Sequence, residues 1–384
     1  MKKRRVKKIP IIILLLIIIG GIVGVWYLMN NSSGNSKSSS NKKNSKSNNE
    51  SAEKVDTTKK MSLVAVGDCL IHGAVYMDAR TGADSYDFSG MIELVGPKIS
   101  KYDLRYYNQE TIIGGKKLGL SHYPQFNSPE EIGENMVDLG FNLVSLVNNH
   151  TLDKGEVGIL NSNEFWKTKD VITAGTYSSW DERNDIKVYE KNGIKYAFLA
   201  YTTTTNGINV PKGKEYLVNV YSDEQAKEDI DKIKTQVDVI IVSMHWGEEY
   251  VFEPTESQKE IAKYLSSLGV NLIIGSHPHV VEPVGYVGDT LVIYSLGNFL
   301  SGQRPMGIDK TIGLMVGMDI VVKDKKVTFE NIDKSLLYTY STTSDTKYKV
   351  YPFESLDDSI LSGYKDLEEK YMGIVNSEVK YDWD

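Results

Sequence analysis

Six histidines stand in this 384-residue chain, and five of them close short apolar runs. His72 follows "SLVAVGDCLI", His150 ends "FNLVSLVNN", His245 ends "VDVIIVSM", and His277 and His279 flank Pro278 after "VNLIIGS". Only His122 lies elsewhere. Asp68 and Asn149 occupy the same kind of position, and "YYNQE" adds Asn108 and Glu110. Neutral imidazoles mixed with carboxylate and amide oxygens suit borderline divalent ions such as manganese, zinc or iron, whereas an all-oxygen set would suit magnesium or calcium. A carboxylate at Glu110 could bridge two ions, and a pair of ions ~3.5–4 Å apart clamps a phosphoryl group and activates a water for in-line attack. Taken alone, His277 and His279 are equally explained as residues of a proline turn; their recurrence with other polar strand ends argues for ligands.

The elements that must hold these groups can be read from the same runs. Apolar, β-branched stretches at 62–68, 141–150, 194–201, 237–247, 270–279 and 291–299 alternate with helical patterns, which predicts an α/β fold. In such sheets ligands bind beyond the carboxyl ends of the strands, where the polar groups fall. "SPEEIGENMVDLG" predicts a helix with Ser128 as N-cap, Pro129 in its first turn and Gly140 as its stop. Segments 222–236 and 255–269 read as helices of the same kind, and the helix–strand pattern at 128–147 resembles that at 256–274, hinting at two similar halves. Residues from 311 on read as a hairpin turning at "KDKK", and 341–384 as a polar loop with an acidic helical tail.

The amino-terminal region sets the expected compartment. "MKKRRVKK" carries six positive charges, and Ile9 to Met29 are 21 residues without a charge, close to the ~20 a helix needs to span a bilayer core. The basic cluster predicts residues 1–8 in the cytoplasm, 9–29 as an uncleaved transmembrane signal anchor, and the rest outside the cell. Residues 30–60 are Asn, Ser and Lys-rich and read as a disordered tether, and 61–340 as the folded domain. Without its six basic amino-terminal residues the chain has 38 Lys+Arg against 51 Asp+Glu, a balance near −13 that excludes nucleic acid as a partner. A polyanionic substrate must then be gripped locally, by a metal or a small basic pocket. The lone Cys69 excludes an internal disulfide and reads as a small packed residue.

The series "VGDCLIHG", "YNQE", "SLVNNHTLDKG", "MHWGEEY", "GSHPHVVEPV" and "YSLGNF" resembles the CapA family of poly-γ-glutamate capsule synthesis proteins, over residues 62 to about 325. That family is similar in motif order to calcineurin-like metallophosphoesterases. The resemblance implies a four-layer αββα sandwich of the metallophosphoesterase type around a centre of two divalent metal ions. It implies Asp68, Glu110, Asn149, His245, His277 and His279 as metal ligands, with Glu110 as the bridge, and His150 as the acid that protonates a leaving oxygen. His72, Asn108, Asp153 and Glu249 stand as supporting or substrate-contacting residues; Asp153 could orient His150, and Glu249 could fix the tautomer of His245.

Three functions follow as expectations. The first is a membrane-anchored, outward-facing protein of poly-γ-glutamate capsule biosynthesis or export, working with membrane-embedded polymer synthase subunits on the emerging polyanionic polymer. The second is an envelope phosphoesterase acting on a phosphorylated glycan, lipid or nucleotide. The third is a non-catalytic polymer-binding scaffold, against which the full set of ligand-type residues argues. Substrate choice between the first two is expected in the loops at 80–130 and 202–216.

Overall fold

The computed structural model describes residues 57–303 and 307–381. The expected basic tail, membrane segment and nearly all of the tether lie outside the described residues, and no described helix is long and apolar enough to cross a membrane.

The strand-forming runs build two sheets. In the first, β1 (Lys59–Leu70), β2 (Leu104–Gln109), β3 (Leu143–Ser145) and β4 (Ile172–Ala174) run parallel in that order. The second has β5 (Tyr189–Lys191), β6 (Ile194–Thr202), β7 (Val239–His245), β8 (Leu272–Ser276), β9 (Val284–Val287) and β10 (Thr290–Ile293), ordered β5-β6-β7-β8-β10-β9. Its central strands are parallel, with antiparallel β5 and β9 at the edges. The chain then returns to the first sheet. On the edge of β1 away from β2, strand β11 (Asn298–Ser301) pairs with the end of β1, while β12 (Ile312–Lys323), β13 (Lys326–Tyr340) and β14 (Lys349–Pro352) extend the sheet antiparallel.

Alternation along the strands explains the stacking. Successive side chains point to opposite faces, and here both faces are apolar. Leu63 and Ala65 join Phe198, Ile241, Leu272 and Ile274 in one core between the sheets. Their neighbours Val64 and Val66 face outward into a second core with Ile132, Met136 and Trp166, supplied by α1 (Glu130–Leu139) and α2 (Gly155–Lys167). Ile240, Val242 and Ile273 form a third with Ala226, Ile230, Ile261 and Leu265, from α3 (Asp223–Ile233) and α4 (Glu256–Ser267). The result is helix, sheet, sheet, helix. Strands covered on both faces read as continuous apolar runs. The similar helix–strand patterns at 128–147 and 256–274 fall in different sheets: α1 leads into β3 and α4 into β8.

Three expectations change. Ser128 does not cap α1; Pro129 holds that place, and the Ser128 hydroxyl donates to Thr111 Oγ1 at 2.7 Å. Gly140 does end the helix, in the left-handed region at φ 116°. Residues 291–299 are not one strand: β10 belongs to the second sheet and β11 to the first, and Gly297 at φ 62° lies in the crossover between them. A Cβ on Gly67 would stand 1.8 Å from the Gly297 carbonyl, so the two glycines let the crossover reach the end of β1. The polar tail from 341 supplies edge strand β14 and helix α5 (Tyr364–Val375), whose Tyr371 and Val375 are fully buried in the inter-sheet core. Its charged composition hid that apolar stripe.

Candidate metal centre

The carboxyl ends of the parallel strands of both sheets meet. Asp68 stands two residues before the end of β1, Glu110 follows β2, Asn149 lies in the irregular segment after β3, His245 ends β7, and His277 follows β8. All five, with His279, are buried. Backbone geometry at the turn after β8 is unusual: His277 has φ 98° and His279 φ 59°. Residues other than glycine seldom occupy this region, and such strain concentrates at functional sites.

Two groups of donors converge. Glu110, His245 and His277 form one and Asp68, Glu110 and His279 the other, each with ligand atoms within 4.8 Å of one another. Glu110 is common to both. In the first group His245 Nε2 lies 3.0 Å from His277 Nδ1, 3.0 Å from Asn149 Oδ1 and 3.8 Å from Glu110 Oε1. In the second, His279 Nε2 is 3.6 Å from Glu110 Oε1 and its Nδ1 3.3 Å from Asp68 Oδ2. Exposed Glu249 makes a third group with His277 and His279.

Neighbours fix these rings. His245 Nδ1 faces Ser276 Oγ at 2.9 Å, and that hydroxyl points to Met244 O at 3.5 Å. Ser276, not Glu249, therefore holds the His245 tautomer, leaving Nε2 with its lone pair toward the cluster. His279 Nδ1 lies 3.1 Å from Asn298 Oδ1. Asn108 Nδ2 donates to Asp68 Oδ1 at 2.8 Å, and the His277 N–H points to Asp68 Oδ2 at 3.3 Å.

Electrostatics marks the cluster as incomplete without a cation. Both Glu110 oxygens are buried and accept no hydrogen bond, a cost natural structures seldom carry without a reason. Burial first, then the negative charge of Asp68, pushes the Glu110 carboxyl well above its ordinary range. Burial pushes His245 well down and His277 to about 4, so both rings are neutral ligands at pH 7. Facing imidazole and amide acceptors around an unpartnered carboxylate suit a divalent ion, which restores the carboxylate charge. The residues present fit a metal.

His150 lies beside the ligands, not among them. Its Nδ1 is 2.8 Å from Asp153 Oδ2, which also accepts the Phe126 N–H at 2.7 Å. A carboxylate only accepts, so Nδ1 carries the hydrogen and Nε2 remains for chemistry. Phe126 packs edge-on against both His150, at 4.7 Å between ring centres, and His72, at 5.2 Å. His72 itself contacts backbone, Leu70 O at 3.1 Å and the Gly302 N–H at 3.3 Å, and burial lowers its pKa to about 4. It belongs to no ligand group among the described residues. Three contributors escaped the sequence reading: Ser276, Asn298 and Asn148, whose side chain accepts the His150 N–H and donates to Gln109 O. All three lie within the motifs quoted above, Ser276 in "GSHPH", Asn298 in "SLGNF" and Asn148 in "LVNNH".

Known proteins share parts of this sequence and fold. The sequence model of the family described as "Bacterial capsule synthesis protein PGA_cap" matches residues 62–303, and the chain belongs to that family. A PGA biosynthesis protein CapA of Bacillus subtilis is 33% identical over 168 residues, 43% of this chain and 44% of that protein. A capsule biosynthesis protein CapA of Bacillus anthracis is 29% identical over 251 residues, 64% of this chain and 61% of that protein. The chain thus matches less than two thirds of either relative. Among solved structures, the calcineurin-like phosphoesterase YfkN of Bacillus subtilis superposes with a TM-score of 0.48 at 16% identity, covering 82% of this chain and 99% of that one. A phosphatase of Mycoplasma pneumoniae gives 0.46, also at 16% identity, covering 73% and 94%.

Proposed function

We propose that this protein is a metal-dependent hydrolase of the cell envelope that acts in poly-γ-glutamate capsule biosynthesis or export, with two divalent ions held at the meeting of its two sheets. The single observation that carries the reading is Glu110: a fully buried carboxylate without a hydrogen-bond partner, shared by two groups of imidazole and carboxylate donors. Family membership and the names of the Bacillus relatives support the capsule context.

Glu110 would bridge the ions, with Asn149, His245 and His277 on one side and Asp68 and His279 on the other. When bound, such ions supply Lewis-acid polarisation and a water acidic enough to serve as nucleophile near neutral pH. The chain's own groups do the rest. His150, held by Asp153 through Nδ1, presents Nε2 to give or take a proton at the leaving oxygen. Ser276 and Asn298 hold His245 and His279 with their ligand nitrogens inward. The charge pattern of residues 1–29 supports an uncleaved anchor with the catalytic domain outside, where membrane-embedded polymer synthase subunits would deliver the polymer. The His150–Asp153 pair favours, as the second reading, a phosphoesterase for a phosphorylated envelope substrate.

The test uses the full chain in detergent. Metal content, hydrolysis of a generic phosphodiester and processing of poly-γ-glutamate are compared for wild type, Glu110→Gln and His150→Gln. Glu110→Gln should lose bound metal and all activity, while His150→Gln should keep metal and lose about 100-fold or more in kcat. Wild type without metal, or equal activity in all three, would sink the reading.

A further inference from the structure

We propose that Asn206, in the turn that follows β6, is a positioning residue that keeps the carboxamide oxygen of Asn149 facing the metal centre. This rests on the reading above, that the histidine and carboxylate cluster is the working site.

The turn is built to aim one side chain. The Ile208 N–H donates to Thr205 O at 3.0 Å, and the Thr205 hydroxyl donates to Ile208 O at 2.7 Å. Between them Asn206 has φ 53° and Gly207 φ 75°, a pair of left-handed residues for which Asn-Gly is the favoured dipeptide. Thr203 fixes the approach, since its N–H and its hydroxyl both donate to His245 O, at 3.0 and 3.3 Å. The Thr204 hydroxyl accepts the Asn206 N–H at 3.3 Å. Asn206 is exposed, yet its backbone is held from two sides. From this loop of the second sheet it reaches a residue that follows the first: its Oδ1 accepts from Asn149 Nδ2 at 3.3 Å. Among the described residues that amide nitrogen has no other partner.

The bond decides a choice that packing leaves open. The oxygen and nitrogen of a carboxamide are close in size, and the torsion that exchanges them is broad and two-fold. Asn149 Oδ1 lies 3.0 Å from His245 Nε2, which carries a lone pair because Ser276 holds the ring hydrogen on Nδ1. Two acceptors at that distance repel each other. Turning the amide over would give Nε2 a donor, but it would also aim N–H groups into the cluster, where a divalent ion needs oxygen. Asn206 Oδ1 opposes that exchange, since the turned amide would set oxygen against oxygen there as well. The loop after β6 thus serves the centre through Asn149, while its Thr203 holds the carbonyl of His245 on the other sheet.

Cobalt(II) is the probe, because its visible absorption reports its coordination geometry. It is titrated against a competing chelator in the full chain in detergent, with melting recorded for every variant. Asn206→Gly keeps the left-handed backbone and removes only the side chain. It should melt with wild type, weaken cobalt affinity about tenfold and change the spectrum. Asn206→Asp restores an acceptor at the same reach, and should return both the affinity, to within about threefold, and the wild-type spectrum. Its added charge alone would not rebuild the spectrum. Asn206→Gly with wild-type affinity or spectrum would overturn the inference, and so would an Asn206→Asp protein that does not regain the spectrum. Failure of wild type to take up cobalt would instead overturn the functional reading and this inference with it.

Discussion

The proton on each ring decides what the centre can hold. His245 can present a lone pair from Nε2 only while Nδ1 carries the hydrogen, and Ser276 Oγ at 2.9 Å is the group that keeps it there. The hydroxyl passes its own hydrogen toward Met244 O, so it is free to accept. Removing it leaves the ring able to flip or to exchange tautomers without unfolding anything, because the strand around it stays paired. Ser276→Ala should weaken metal affinity about tenfold, within the range seen for residues that orient ligand histidines. Titration with a competing chelator measures it, and unchanged affinity would mean that the ring keeps its tautomer without Ser276.

At the scale of elements, the turn after β8 is tied to helix α4 by one buried contact. Thr255 caps that helix with a reciprocal bond to Gln258, whose Nε2 donates to Glu282 Oε2 at 2.7 Å, while Glu282 Oε1 has no partner. Burial pushes the Glu282 carboxyl up to about 8, against the opposing pull of Gln258. A carboxyl with a raised folded pKa contributes its full stability below the unfolded value of 4.5 and loses it as pH rises toward 8. Glu282→Gln keeps the shape and removes the titration. Denaturant unfolding of the two proteins from pH 5 to 8 should therefore show wild type losing stability relative to the variant, by at most about 1.4 kcal/mol per pH unit. A difference that stays flat would show that Glu282 is ionised throughout. Sequence signals located such elements unevenly. Thr255 and Ser222 cap the helices their patterns announce, and the hairpin turns at "KDKK". Ser128 carries the same signal and fails, since Thr111 takes its hydroxyl from a distant part of the chain. The ligand-type residues other than Glu110 were legible because they close apolar runs. The roles of Ser276 and Asn298 were not, because what defines each is a neighbour across space.

For the whole molecule the question is what closes the space between the sheets. The first sheet is extended on one side by β12, β13 and β14, and the last helix covers the inter-sheet core there. Phe353, Leu356, Tyr371 and Val375 are all buried in that core, and Tyr348 and Val350 in the outer one. Each such side chain gives roughly 1.5–3 kcal/mol on burial, so the six together reach about 10 kcal/mol. That equals the net stability of a typical domain, about 5–15 kcal/mol, and removing them also bares β13 as a long edge, which invites pairing with other chains. A chain ending at Tyr340 keeps every candidate ligand in sequence, from Asp68 to His279, together with Asn298. It should nonetheless fail to hold metal, because the strand ends are brought together only by a closed sandwich. Soluble yield, resistance to brief proteolysis and bound metal, compared with the full chain, test this. A shortened protein that melts cooperatively and retains metal would mean that the two parallel strand sets alone carry the centre, and that the carboxyl-terminal elements serve some other surface of the molecule.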